Sequence, residues 1–357
     1  MQESGSGPGA APESGNAFSE LDLALIDALQ ADPRAPWARI GPAIGVDATT
    51  AARRWDRLTA AGLAWVTAYA APGTAPVAFL EVGCEAGALA RLVAELVELP
   101  WVFSVEHVAG DFELFLSVCA ADLPGLGRLV QDIGARPEVR TVRTRLSLRH
   151  FLEGSAWQVR ALAPARRAEL VIAPDPGAPS GPDLLHSPTD LALLLALGED
   201  GRAGYAQLAA RTGIGESTVR RHLGRRLRQR GLLLRCDLAQ GQAGWPVVVG
   251  YRAAVPHSAL DRVGSTVARL PQTRLCASVT GSTNLLFSLW LRGADEIGAI
   301  EAALAERTPE LELRERTVTL ATHKRMGRVL DGRGRALHHV PLITPPDAAG
   351  ASAADPH

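Results

Sequence analysis

The apolar positions of this chain change period along its length, and the change marks out its parts. Leu21, Leu25, Ile26 and Leu29 recur at helical steps, and Ser19 stands where a side-chain cap belongs. A second short helix is predicted over 38–44, stopped at Gly45, and a third over 48–61, stopped at Gly62. Residues 63–69 then read as a strand. Helix, helix, Gly-containing turn, helix and strand is the order of a winged helix-turn-helix. From Val77 strand-like stretches appear at 77–82, 102–108, 113–118 and 139–148. Between them lie a helix over 86–99, striped by Leu89, Leu92, Val93 and Leu96, and another carrying Leu126, Leu129, Val130 and Ile133. The order βαββαβ predicts a ferredoxin-like unit, a four-stranded antiparallel sheet with helices on one face. The other face is apolar and bare, and such a face needs a partner.

The same plan then returns. Residues 19–29 reappear as 187–197, an offset of 168 that drifts only to 171 where Gly110 is matched by Gly281. A repeat this long is a duplicated multi-domain module, since solenoid units run about 20–50 residues. Helices are predicted at 191–198, 205–212 and 217–230, followed by a second βαββαβ over 247–251, 259–270, 275–280, 285–291, 294–307 and 311–319. The expected class is α+β: two winged helix-turn-helix domains, each followed by a ferredoxin-like βαββαβ domain. The expected division is a disordered tail at 1–17, helix-turn-helix at 18–72, sheet domain at 73–155, a Pro-rich linker at 156–186, helix-turn-helix at 187–243, sheet domain at 244–328 and a flexible tail at 329–357.

Composition narrows the class. At 357 residues and 47% apolar the chain can build several cores. Its longest aliphatic run, 191–197, falls far short of the roughly 18 residues of a membrane span, and 1–8 has no signal-peptide pattern. Cys84, Cys119, Cys236 and Cys276 are isolated and sit at strand-like apolar positions, so they read as small buried hydrophobes. A cytoplasmic protein is expected, without cofactor or metal. The net charge of −1 conceals a local excess: from Arg211 to Arg230 there are seven arginines against one acid, Glu216. A basic stripe of that kind is a nucleic-acid footprint.

With the order of elements in place, the motifs resemble those of the Lrp/AsnC (feast/famine) transcriptional regulators, in a tandem two-module form. The likeness is carried by Leu21-Asp22 with Ile26, Leu29, Gln30, Asp32 and Arg34, and by the run from Ile44 through Thr49, Thr50, Arg53 and Arg54 to Gly62-Leu63. Ala209 to Leu223 repeats it, and Gly110-Asp111-Phe112-Glu113-Leu114 resembles the family's Gly-Asp-Tyr-Asp-Leu hairpin. Three departures accompany it. Trp55-Asp56 replaces the usual aliphatic and polar pair. One extra residue separates Arg221 from Leu227 compared with Arg53 and Leu58. The second hairpin, Gly281-Ser282-Thr283-Asn284, lacks both acids.

Reading DNA takes short polar residues and cations on the leading turns of the third helix. In the first module these are Thr49, Thr50, Arg53, Arg54 and Arg57; in the second, Ser217, Thr218, Arg220, Arg221, Arg225 and Arg228. Acids flanking the first helix weaken its phosphate contacts, so the second is expected to dominate on an asymmetric site. The family resemblance further implies a small effector, an amino acid or similar molecule, near Gly110 and Asp111 and near Gly281, Ser282, Thr283 and Asn284. Backbone amides at a Gly turn suit a carboxylate and Asp111 suits an ammonium. Expected partners are double-stranded DNA, that effector, and further copies of the chain, as a homodimer or larger assembly; the bare sheet faces pack either on each other, making the chain a covalent pseudo-dimer, or on those of another copy. Two alternatives stand beside this reading. Haem-pathway decarboxylases of similar fold are enzymes, but of their hairpin histidines and arginines only His107 is here. The other is an assembly protein indifferent to DNA.

Overall fold

The computed structural model describes residues 17–70, 75–171, 187–229 and 231–343. The first helix-turn-helix comprises α1 (Glu20–Ala31), α2 (Trp37–Ile44), α3 (Ala48–Ala60) and the strand β1 (Ala64–Ala70). It is followed by β2 (Val77–Cys84), α4 (Leu89–Leu96), β3 (Val102–Ala109), β4 (Leu114–Cys119), α5 (Leu123–Gly134), β5 (Val139–Leu152) and α6 (Pro164–Leu170). The second begins with α7 (Pro188–Glu199), α8 (Tyr205–Thr212), α9 (Glu216–Arg228) and β6 (Leu232–Leu238). Then come β7 (Val247–Ala254), α10 (Leu260–Ala268), β8 (Thr273–Val279), β9 (Leu285–Leu291), α11 (Glu296–Arg307), β10 (Glu312–Arg325), β11 (Arg328–Leu330) and β12 (Ala336–His339).

Both modules start alike for a local reason. The Ser19 hydroxyl accepts from the Asp22 amide while the Asp22 carboxylate accepts from the Ser19 amide, and Ser187 accepts from the Asp190 amide in the same way. The α2 and α8 helices end at Gly45 and Gly213, whose φ values of 80° and 71° suit glycine and turn the chain toward the third helix. Leu25, Ile26, Leu29, Ile40, Trp55 and Leu58 form the first core; Leu193, Leu197, Leu208, Val219 and Leu223 form the second.

The two helix-turn-helix units are bound to each other. β1 and β6 pair antiparallel from Ala64↔Leu238 to Ala70↔Leu232. Around that ladder the two modules exchange arginines. Arg34 donates to the carbonyls of Gly201 (2.7 Å) and Ala203 (2.9 Å), and Arg202 donates to those of Pro33 (2.6 Å) and Ala35 (3.0 Å). The Arg202 guanidinium lies 3.9 Å from the Trp37 ring centre and that of Arg34 lies 5.5 Å from Tyr205. Hydrogen bonds to charged donors contribute about 1.5–3 kcal/mol each, so Arg34→Ala with Arg202→Ala is expected to cost about 3 kcal/mol or more. Amide hydrogen exchange should then speed up selectively in β1 and β6. Unchanged protection there would show that the ladder holds without the clasp.

The sheet domains depart from expectation. Within each half the strand order is the ferredoxin one, β5-β2-β4-β3 and β10-β7-β9-β8. The halves do not remain separate sheets, however. β5 continues onto β8 (Ser147↔Val279 to Leu152↔Cys276), and β10 continues onto β3 (Val318↔Ala109 to Arg325↔Ser104). The eight strands therefore close into one barrel, which is not a ferredoxin fold. The cause is strand length: β5 and β10 have 14 residues each, against six to eight in the others of the ring, and their overhangs satisfy the open edge of the opposite half. Ala78, Leu80 and Val82 of β2 face α4 and α5, while Phe79 faces inward with Ala277 and Leu286. The bare faces thus line a lumen inside the chain and are not free to receive a second copy, correcting the expected self-association through them.

Two segments expected to be loose are built in. After β5, Trp157 is buried against Trp245 and Trp290, Leu162 donates its amide to Asp27, and Arg167 of α6 pairs with Asp27 at 2.6 Å. Only 172–186 of the expected linker lies outside the described residues. The supposed flexible tail forms the β11–β12 hairpin, attached by the Ala336 amide to the Gly62 carbonyl at 2.8 Å; residues 344–357 lie outside the described residues. His339 in that hairpin rests on Gly198 of α7, where a Cβ would come within 2.3 Å of its ring.

Neither ring nitrogen of His339 has a hydrogen-bond partner among the described residues. Burial first, then Arg328, Lys324 and His338, push its pKa down to about 3. The folded state thus resists protonation that an unfolded histidine accepts near pH 6.5. This contribution to stability is present above pH 6.5 and is lost as pH falls toward 3. Burial depresses His150 and His323 in the same direction. Melting temperature should therefore drop between pH 7 and pH 5, and His339→Asn should flatten that slope. An identical slope in the variant would contradict the assignment.

Candidate nucleic-acid interface

The third helices α3 and α9 differ first at their starts. Asp47 caps α3, accepting from the Thr50 amide at 2.8 Å and from the Thr50 hydroxyl at 2.7 Å. Those bonds hold the Asp47 carboxyl below the usual carboxylate range, so a full negative charge sits where a phosphate would approach. The α9 helix is capped by Gly215 with no side-chain bond, which leaves its first amides open to an anion, although Glu216 stands beside them.

They differ again in their arginines. Asp22, 1% exposed, accepts from Arg57 at 2.7 Å and from Arg54 at 3.2 Å. Burial raises its pKa, but the bonds from Arg57 and Ser19 outweigh this and hold it below its ordinary value. Arg54 and Arg57, expected to reach DNA, thus tie α3 to α1, Arg54 half-buried and Arg57 still exposed. Thr49 and Arg53 are exposed, and Thr50 is half-buried with its hydroxyl engaged.

In the second module the buried carboxylate is Asp190, held by Arg226 at 2.5 and 2.9 Å with His222 Nδ1 3.7 Å away. The holder lies 36 residues after its aspartate here and 35 in the first module, which is where the extra residue of α9 has its effect. Arg226 was not among the expected contacts. By taking the inward role it leaves Arg221, Arg225 and Arg228 exposed, with Ser217 exposed at the leading turn and Thr218 half-buried. Arg220 is exposed but braced by Glu216 at 3.2 Å and by the Tyr205 ring at 4.6 Å.

The hairpin residues are placed apart. Each turn meets the long last strand of the other module: a Cβ on Gly110 would come 2.7 Å from Thr317, and one on Gly281, φ 110°, would come 3.3 Å from Arg145. Asp111 and Ser282 are exposed. Thr283 is buried and accepts from Arg145 at 2.6 Å, and the Asn284 amide group is held at both ends by the Val255 backbone. The polar atoms of those two residues therefore serve the fold.

Sequence reasoning missed the lumen. A cavity of about 520 Å³ is lined by Phe79, Phe115, Leu286 and Trp290 together with Arg235, Arg252, Arg274 and Arg325. Asp237, fully buried, faces three of these guanidiniums: Arg235 at 2.8 Å, Arg274 at 3.0 Å and Arg325 at 4.0 Å. Glu81 is shared by Arg145 at 2.7 Å and Arg252 at 2.9 Å. The one sequence signal was a cation inside apolar strands, as in Leu232 to Leu238 and Val247 to Ala254.

Comparison with known proteins agrees with this geometry. The model of the AsnC-type helix-turn-helix domain matches twice, at 18–59 and 188–225, and that of the Lrp/AsnC ligand binding domain matches 77–157. An uncharacterized HTH-type transcriptional regulator of Pyrococcus horikoshii is 31% identical over 120 residues, 32% of this chain and 75% of its own length. The HTH-type transcriptional regulator FL11 of Pyrococcus abyssi is 26% identical over 148 residues, 40% of this chain and 98% of its own. Among solved structures, the siroheme decarboxylase NirDL superposes with a TM-score of 0.56 at 12% identity, covering 86% of this chain and 93% of that one, a likeness of fold alone. The chain belongs to the Lrp/AsnC family of HTH-type transcriptional regulators.

Proposed function

We propose that this chain reads an asymmetric DNA site as a covalent pseudo-dimer, with α9 as its dominant contact and α3 as the weaker one. The observation that carries this is the division of labour among arginines: one arginine, Arg226, holds Asp190 with His222 beside it, while two, Arg54 and Arg57, are drawn to Asp22. Arg221 is in the position for a guanine edge, and Arg225 and Arg228 for phosphates. The clasp and the β1–β6 ladder couple the two readers, so one chain supplies both half-site contacts. A small effector, an amino acid or similar molecule, acts at the exposed Gly110–Asp111 and Gly281–Ser282 turns by favouring one arrangement of the two modules. The division into two helix-turn-helix domains (18–72, 187–243) and a sensing barrel built from two halves (73–155, 244–328), and a cytoplasmic setting, belong to the same proposal.

The test is fluorescence anisotropy with DNA from upstream of the protein's own gene, across a salt series, with and without a pool of amino acids. Affinity above scrambled DNA by about 10³-fold, falling steeply with salt, is the expected result. Equal affinity for scrambled and upstream DNA would sink sequence-specific reading at that site. Indifference to the pool would sink the amino-acid effector.

A further inference from the structure

We propose that the barrel lumen binds an uncharged, largely apolar aromatic molecule, and that this occupant touches helix α7 of the second helix-turn-helix. This goes beyond the regulator reading and does not rest on it. The cavity, about 520 Å³, falls within the range of small-molecule sites. Its walls set the shape of what fits. Phe79, Phe103, Phe115, Leu275, Leu286 and Trp290 line it. The Phe79 and Phe115 rings stack at 5.7 Å with 10° between planes, and the His150 ring meets Phe79 edge-on at 6.4 Å. Phe103, Phe115 and Leu275 are only half-buried, although they stand on strands of a closed barrel. Such walls favour a flat ring over a flexible chain, because offset and edge-on contacts add to the apolar area removed from water.

Charge sets the rest. The arginines around the lumen are Arg145, Arg235, Arg252, Arg274 and Arg325, and acids equal in number answer them. Asp237 serves Arg235, Arg274 and Arg325, and Glu81 serves Arg145 and Arg252. Glu315 stands 4.0 Å from Arg145, and Glu106 and Glu153 line the cavity. The cations are thus matched within the protein. An ionic ligand would surrender its hydration and bring a charge that nothing is left to meet. What remains for an occupant is the aromatic surface, with the hydroxyls of Ser117 and Ser288 for an uncharged polar group.

The cavity also reaches past the strands of the barrel. Tyr69 of β1 and Leu191 and Leu194 of α7 belong to the same lining. Leu191 is 42% exposed, outside the core that its neighbours Leu193 and Leu197 fill, so an occupant at this end would cover it. It follows Asp190, whose carboxylate holds Arg226 of α9. The wall that meets the occupant is therefore the helix that positions the second reader.

The experiment is fluorescence titration of the full chain with N-phenylnaphthylamine, an uncharged aromatic probe, and with anilinonaphthalene sulfonate, the same skeleton carrying one negative charge. One neutral probe per chain is expected, at least about tenfold tighter than the sulfonate. Ser117→Trp and Ser288→Trp fill the lumen from β4 and from β9 without touching any charge. Each should abolish that binding in a chain whose circular dichroism and melting are retained. Amide hydrogen exchange in α7 should slow when the neutral probe is bound. Absence of saturable binding up to about 10 µM, equal or tighter binding of the sulfonate, or full binding by a folded filled variant would each overturn the site. Unchanged exchange in α7 would overturn the contact with the reader. The comparison of the two probes needs no variant, so it decides the site even where a filled barrel fails to fold.

Discussion

Asp237→Asn should lower stability by about 3–5 kcal/mol, because removing one partner of a buried ion cluster leaves its cations uncompensated. Asp237 is completely buried, and three arginines converge on it from β6, β8 and β10. Asparagine keeps the shape and removes the charge. The loss translates to a fall in melting temperature on the order of 10 °C for a unit of this size. The effect should reach both halves of the chain, since Arg325 lies opposite Ser104 in the β10–β3 ladder and the Arg274 guanidinium lies 5.5 Å from the Trp157 ring centre. Replacing a second member, as in Asp237→Asn with Arg274→Met, should restore part of the loss by removing one stranded cation. Circular dichroism melting checks both. A drop under about 1 kcal/mol for the single variant, the scale of an exposed ion pair, would contradict the energetic weight given to the buried cluster.

The second large effect concerns DNA. Replacing Arg221, Arg225 and Arg228 together by alanine should weaken binding about 100-fold and lower the salt slope by about 0.9 for each phosphate that is no longer neutralised. Their side chains are exposed and none is in the buried Asp190 pair, so the fold should be unaffected. Arg53→Ala should cost much less, because the Asp47 cap stands at the same helix start. Arg57→Ala should show up mainly as reduced stability, since it strips from buried Asp22 the donor that meets both of its carboxylate oxygens. Anisotropy across a salt series separates these outcomes. An unchanged slope in the α9 variant, or an Arg53 effect equal to it, would refute the unequal halves.

Much of this architecture was legible in the order of residues. Helix stripes, Ser19 and Ser187 as caps, and Gly45 and Gly213 as breaks depend on neighbours three or four positions away, and the structure places elements where those patterns lie. The repeat announced two related modules for the same reason: it is a pattern along the chain. What the sequence concealed was the extent of β5 and β10. Their ends, 149–152 and 320–325, carry Arg149, His150, Lys324 and Arg325 and so do not read as strand. They are strand because the other half supplies the hydrogen-bond ladder. The roles of the arginines were equally hidden. Nothing local distinguishes Arg226 from Arg225, or Arg57 from Arg53; burial of Asp22 and Asp190 under one helix face chooses between them.

Local periodicity and turn chemistry act over a few residues, and they suffice for the elements, their duplication and the family likeness. Tertiary structure alone decided the closure of the barrel and the content of its lumen. Glu81 and Arg252 stand 171 residues apart and meet only when two open sheet edges satisfy each other's unpaired backbone groups.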